Sequence, residues 1–270
     1  MLDNTFKAIV VEESSKGLFK QSIKSRNISD LPDGDILVKV KYSSLNYKDG
    51  LSFYGNKGVS SNYPHTPGID AVGTVKSSNT PNIKIGSKVI VSGYDLGMNT
   101  AGGFGGYIRV PQEWISILPE GLDSLDSMII GTAGLTALMC SFTTKATREE
   151  LLLGEKVENV IVSGASGGVG SMSVMMLSKL GCNVTAITGK DANKDYLKSL
   201  GAKSVINTSE MTKDARPLDK GLWDGAVDTV GGKVLENILA QTKDGGIVSA
   251  CGNAADIKIN TTVMPFIIRG

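Results

Sequence analysis

Cysteine and histidine are scarce in this chain. Of its 270 residues three are cysteine and one is histidine. Cys140, Cys182 and Cys251 are scattered, with no C-x-x-C pair, which excludes a disulfide framework and leaves a reducing cytoplasm as the expected compartment. His65 follows Tyr63-Pro64 and reads as a loop histidine. Neither sign of charge is in excess: 28 basic residues against 27 acidic leave a formal net charge of +1. That balance gives no electrostatic case for nucleic acid or an anionic membrane. No apolar run reads as approaching the roughly 20 residues of a membrane span. The N-terminal stretch lacks the basic-then-apolar order of a signal peptide.

What the chain has is length for two domains and, at 41% hydrophobic residues, ample material for cores. Up to about Leu122 the pattern is short strands broken by turns, at Phe6 to Val11, Ile36 to Tyr42, Ala71 to Lys76, Lys88 to Ser92 and Tyr107 to Val110. After Asp123 helices and strands alternate, which predicts a parallel, doubly wound sheet. The expectation is an α/β protein with a β-rich domain over 1–123 and a Rossmann domain over 124–270.

The most informative stretch runs from Val160 to Gly170, a short apolar run that enters the turn Gly164-Ala165-Ser166-Gly167-Gly168-Val169-Gly170. An apolar-periodic segment follows at once. Strand, Gly-rich turn and helix in that order form the dinucleotide-binding arrangement, with Ala165 at the first position of G-x-G-x-x-G. Gly167 lets backbone approach a pyrophosphate, Gly170 lets the helix pack closely, and N–H groups at the helix start meet the phosphate charge. The next strand ends in Thr188-Gly189-Lys190 rather than in the acid that bonds the ribose 2′-hydroxyl of NAD, with Asp191 one residue further on. Lys190 can meet a 2′-phosphate as a point charge, so NADPH is the expected cofactor.

With Ser43-Ser44-Leu45-Asn46-Tyr47-Lys48-Asp49, Pro67-Gly68-Ile69-Asp70-Ala71-Val72-Gly73 and Gly131-Thr132-Ala133-Gly134-Leu135-Thr136-Ala137, the chain resembles the medium-chain dehydrogenase/reductase superfamily. Tyr196 to Ala202, Asp228-Thr229-Val230-Gly231 and Thr261 to Ile267 narrow the resemblance to the zinc-independent quinone oxidoreductases of the YhdH/YhfP type, a group that includes acryloyl-CoA reductases. The resemblance covers essentially the whole chain. It implies a GroES-like first domain and NADPH-dependent reduction of an α,β-unsaturated carbonyl.

Where zinc-dependent relatives carry a ligand cysteine this chain has Asn46, and Gly68-Ile69-Asp70 stands in place of their Gly-His-Glu, so no metal site is expected. In the family the chain continues past Ile267-Ile268-Arg269-Gly270 into a last strand and a returning segment. The expectation is therefore a chain missing its C-terminal segment, homodimeric when full length.

Asn46 and Tyr47 are the candidate catalytic residues. Hydride addition to the β-carbon loads charge onto the carbonyl oxygen, and an amide and a phenol can both donate to it. The resemblance implies that Tyr47 also contacts the cofactor. Thr132, Thr136, Ser166 and Asp228 join the turn residues and Thr188 to Lys190 as candidate cofactor contacts. The alternatives are a one-electron quinone reductase and a non-catalytic NADPH-binding protein.

Overall fold

The computed structural model describes residues 4–147 and 156–270. Two compact units divide the chain between Thr132 and Ala133, later than the change of texture near Asp123.

The first unit opens with an antiparallel hairpin of β1 (Thr5–Ser15) and β2 (Leu18–Asn27) around Lys16-Gly17, where Gly17 takes φ +79°. The second strand is absent from the sequence expectations. Its residues LFKQSIKSRN are mostly polar and exposed, so its conformation comes from ten-fold pairing with β1 rather than from its own pattern. A five-stranded antiparallel sheet follows, in the order β6 (Tyr107–Val110), β3 (Ile36–Tyr42), β4 (Asp70–Ser78), β5 (Lys88–Ser92), β7 (Ser116–Ile117). Its inward face packs Ile36, Val38, Val75, Val89, Val91 and Ile108. Tyr42 pairs with Val72, so the chain leaving β3 runs past the start of β4, and Ser43 Oγ donates to the Asp70 carbonyl at 2.6 Å. The helix Tyr47–Phe53 begins there, capped by Asn46.

In the second unit five parallel strands take the order β10 (Ser204–Asn207), β9 (Asn183–Thr188), β8 (Asn159–Val162), β11 (Trp223–Asp228), β12 (Thr242–Ala250). Val160 and Val162 belong to one core cluster with Val174, Leu177 and Val184, while Ile161 belongs to another with Ile187, Val234 and Ile238. Successive side chains of β8 thus enter opposite cores, as a sheet covered on both faces requires. The helices Gly168–Lys179 and Gly232–Gln241 follow β8 and β11. Thr262 to Ile268 contains the short helix Met264–Arg269.

One expectation needs correction. Ser124–Ala146 is long and apolar enough, by length and composition, to cross a membrane. It is not an unbroken helix, because Gly131 sits at φ 48°, ψ −160° and separates residues 124–130 from 132–142. A spanning helix needs its backbone hydrogen bonds satisfied throughout the hydrocarbon, and a left-handed residue at the centre interrupts that ladder.

Candidate active site

The Gly-rich turn lies at the carboxyl end of β8. Gly164, not Ala165, takes the left-handed conformation, at φ +54°, and a Cβ there would lie 2.2 Å from Thr229 Oγ1. Ala165 is fully buried, and its N–H donates to the Ile187 carbonyl at 3.0 Å, tying the turn to β9. Gly167 is the N-cap of the helix Gly168–Lys179, whose first rung runs from Ser171 N–H to the Gly167 carbonyl at 2.9 Å. The N–H groups of Gly168, Val169 and Gly170 therefore precede the helical ladder, at the positive end of the helix. Ser166, Gly167 and Gly168 are exposed, whereas Gly170 is buried with Gly164 O only 2.3 Å from where its Cβ would be. The first two open the cradle; the last lets helix and turn touch.

A cleft of about 220 Å³ beside the turn is lined by Ser166, Thr188, Gly189, Thr208, Val230 and Ala254, among others. Ser166 Oγ and Thr188 Oγ1 lie 3.4 Å apart, and the Lys190 N–H donates to Thr188 Oγ1 at 3.3 Å. The Thr188 side chain is buried and Lys190 is exposed. Asp191 pairs with Lys194 at 2.9 Å, which holds its carboxyl below the usual range and engages the acid nearest the strand end. Thr208 was missed from sequence. The pairing of Thr188 with Asn207 carries it to the cleft. An exposed helix N-terminus, a glycine cradle and a cleft edged by hydroxyls fit a dinucleotide phosphate.

Asp228 stands behind this turn. It is fully buried, and its carboxylate accepts from Ser163 Oγ at 2.5 Å and from the Gly231 N–H at 2.9 Å. Each oxygen accepts a hydrogen bond within the protein, and the side chain braces the strand ends. Thr136 is half-buried on its helix in the second unit.

In the first unit Asn46 and Thr132 gather around the carboxylate of Asp70, which the sequence marked only as standing in place of the Glu of Gly-His-Glu. Asn46 Nδ2 donates to Asp70 Oδ2 at 2.8 Å. Thr132 donates twice to the same carboxylate, from its N–H at 3.0 Å to Oδ2 and from its hydroxyl at 2.7 Å to Oδ1. The break at Gly131 is what presents the Thr132 N–H to Asp70. Beneath them Asp49 accepts from the Asn46 N–H at 2.7 Å and the Ile69 N–H at 2.8 Å. Burial pushes the Asp49 carboxyl upward, the two N–H groups oppose that, and the Asp70 charge adds to it. Tyr47, next to this network, is 65% exposed with its phenol available. A carboxylate on β4 that meets an amide and a hydroxyl leaves no local sequence signal, because its partners are 24 and 62 residues away.

The donors for zinc do not fit. Among the described residues no group of three His, Cys, Asp or Glu side chains could hold a metal ion. His65 is buried with Nε2 2.8 Å from the Gly97 carbonyl, and the amide of Asn46 faces Asp70.

Two family models match the chain: an alcohol dehydrogenase GroES-like domain over residues 32–120 and a zinc-binding dehydrogenase domain over 168–270. The probable acrylyl-CoA reductase AcuI of Escherichia coli is 44% identical over 95% of this chain and 78% of its own length. The putative quinone oxidoreductase YhfP of Bacillus subtilis is 39% identical over the whole chain and 80% of its own length. Its crystal structure with NAD bound superposes at a TM-score of 0.90, covering 99% of this chain and 80% of that one. The YhdH oxidoreductase of Salmonella enterica, solved in complex with NADP, is 44% identical with a TM-score of 0.91, covering 97% of this chain and 79% of that one. Sheet order, Gly-rich turn and sequence similarity agree: the chain belongs to the YhdH/YhfP-type oxidoreductases of the medium-chain dehydrogenase/reductase superfamily, the group that includes the acrylyl-CoA reductases.

Proposed function

We propose that this protein is an NADPH-dependent, zinc-independent reductase of α,β-unsaturated carbonyl compounds, with acryloyl-CoA or a similar enoyl or enone substrate. The observation that carries the reading is a phosphate cradle at Gly167 to Gly170 in a chain 44% identical to a probable acrylyl-CoA reductase. When bound, NADPH supplies a hydride from C4 of its nicotinamide. The N–H groups of Gly168, Val169 and Gly170 bind the pyrophosphate, and Lys190 meets the 2′-phosphate beside Ser166, Thr188 and Gly189. Thr132 and Thr136 contribute hydroxyls for cofactor placement. Asn46 and Tyr47 donate hydrogen bonds to substrate or nicotinamide, and a donor aimed at the carbonyl oxygen stabilises the charge that accumulates there.

The protein is further proposed to be cytoplasmic, and homodimeric when full length. No disulfide joins its three cysteines. Burial, followed by the neighbouring Cys140, pushes the Cys251 thiol up to about 12, which keeps it protonated and outside the chemistry. A second reading, an NADPH:quinone oxidoreductase, is favoured by the similarity to YhfP. A panel of acceptors separates them, with NADPH oxidation followed against acryloyl-CoA, crotonyl-CoA and a simple benzoquinone. Turnover confined to the quinone supports the second reading. NADPH binding with no turnover at all supports a non-catalytic role.

A further inference from the structure

Asp70 is fully buried, yet among the described residues no lysine or arginine pairs with it. A buried carboxylate without a counter-ion is costly unless hydrogen bonds replace its hydration. Here three do, from Asn46 Nδ2, the Thr132 N–H and the Thr132 hydroxyl. The left-handed turn at Gly131 brings backbone so near that a Cβ there would lie 3.0 Å from Asp70 Oδ2. A neutral side chain could cap the segment that starts at Thr132 with less desolvation.

The charge has a consequence that capping does not need. An ionised carboxylate only accepts, so the Asn46 amide must turn its nitrogen toward Asp70. Its carbonyl oxygen and its second N–H are then held in one orientation. The Thr132 hydroxyl gives its only proton to Asp70, so its oxygen meets any further polar group as an acceptor. We propose that Asp70 is a positioning residue of the reduction site, fixing which hydrogen-bonding groups of Asn46 and Thr132 are offered to ligand. This rests on the reductase reading given above, in which Asn46 and Thr132 meet substrate and cofactor.

The test compares the parent chain with Asp70→Asn and with the exchanged pair Asn46→Asp/Asp70→Asn. In Asp70→Asn two amides face each other and the carboxylate is gone, while volume is kept. Selective ¹⁵N labelling of asparagine should show a slowly exchanging Asn46 side-chain amide in the parent and a fast one in Asp70→Asn. NADPH affinity, read by fluorescence titration, should weaken, because the Thr132 hydroxyl loses the carboxylate that orients it. With acryloyl-CoA, kcat should fall about 100-fold, the scale of a misplaced contact group, while KM changes little. The exchanged pair restores an amide–carboxylate bond with its polarity reversed, so the melting temperature should recover and kcat should not.

Recovery of both in the exchanged pair assigns Asp70 a purely structural role and overturns the proposal, as does unchanged kcat in Asp70→Asn. An Asn46 amide that exchanges freely in the parent overturns the clamp itself. A parent chain inactive toward every acceptor removes the reductase reading instead, and the amide spectrum then still decides whether Asp70 orients Asn46.

Discussion

Ser163 Oγ and the Asp228 carboxylate meet at 2.5 Å, joining the carboxyl ends of the adjacent strands β8 and β11. Ser163 Oγ in turn accepts from the Thr229 N–H at 2.9 Å. The chain therefore stitches the floor of the crevice from behind. Asp228→Asn should cost about 1–3 kcal/mol of stability, the range for leaving a buried donor unmatched. NADPH affinity of the folded protein should stay close to that of the parent. Calorimetry and a cofactor titration check the two halves, and an affinity loss without destabilisation would return Asp228 to the cofactor-contact role.

Lys190 stands exposed at the end of β9, beyond Thr188. Its replacement by alanine should weaken NADPH binding about ten- to a hundred-fold, corresponding to the roughly 1.5–3 kcal/mol of a charge-assisted contact. NADH binding should barely change. Fluorescence titration of both cofactors against both chains measures this, and the parent should prefer NADPH.

Gly170 and Gly167 should fail in different ways. Alanine at 170 would place its Cβ 2.3 Å from a backbone oxygen, which overpacks the turn and costs about 1–3 kcal/mol. Alanine at 167 would meet only Gly164 O at 3.3 Å. It should spare stability and weaken NADPH binding about tenfold by standing in the phosphate path. Melting curves and titrations on both variants separate the packing glycine from the cradle glycine.

His65 gives the pH dependence of stability a definite sign. Burial holds its pKa below the ordinary 6.5, against the pull of the Gly97 carbonyl. Below about pH 6.5 the unfolded chain takes up a proton that the folded chain refuses, so stability is present above that pH and declines as pH falls. His65→Gln should flatten melting temperature between about pH 7.5 and pH 5.5. Asp49, whose carboxyl is raised, works in the opposite direction but is common to both chains and cancels in the comparison.

Purified protein should contain no stoichiometric zinc, and turnover should survive a strong chelator. Elemental analysis alongside an activity assay decides it. One tightly held zinc per chain would contradict the donor chemistry around Asn46 and His65.

The parallel sheet was readable because its strands are apolar runs separated by helices, and Gly167 to Gly170 announced the turn by composition. The hairpin partner β2 was not, since its polar residues are extended by their neighbour. The motif spacing put Ala165 at its first position and assigned no backbone conformation there; the positive φ lies one residue earlier, at Gly164, because the turn needs it only somewhere ahead of the cradle. Asn46 and Thr132 were found separately. Asp70 was named only as part of Gly68-Ile69-Asp70, and its link to both was out of reach because tertiary folding alone makes it.

Gly131 carries a consequence for how freely this sequence can drift. Its backbone is left-handed, and any Cβ added there would fall 2.4 Å from Ser44 Oγ as well as against Asp70. Its neighbours Ile129 and Ile130 are exposed and interchangeable with other side chains by comparison. Saturation mutagenesis would therefore trace one intolerant column inside a permissive stretch. Through that single residue, selection on the hydrogen-bonding site would bear directly on a segment whose adjacent positions Ile129 and Ile130 are exposed.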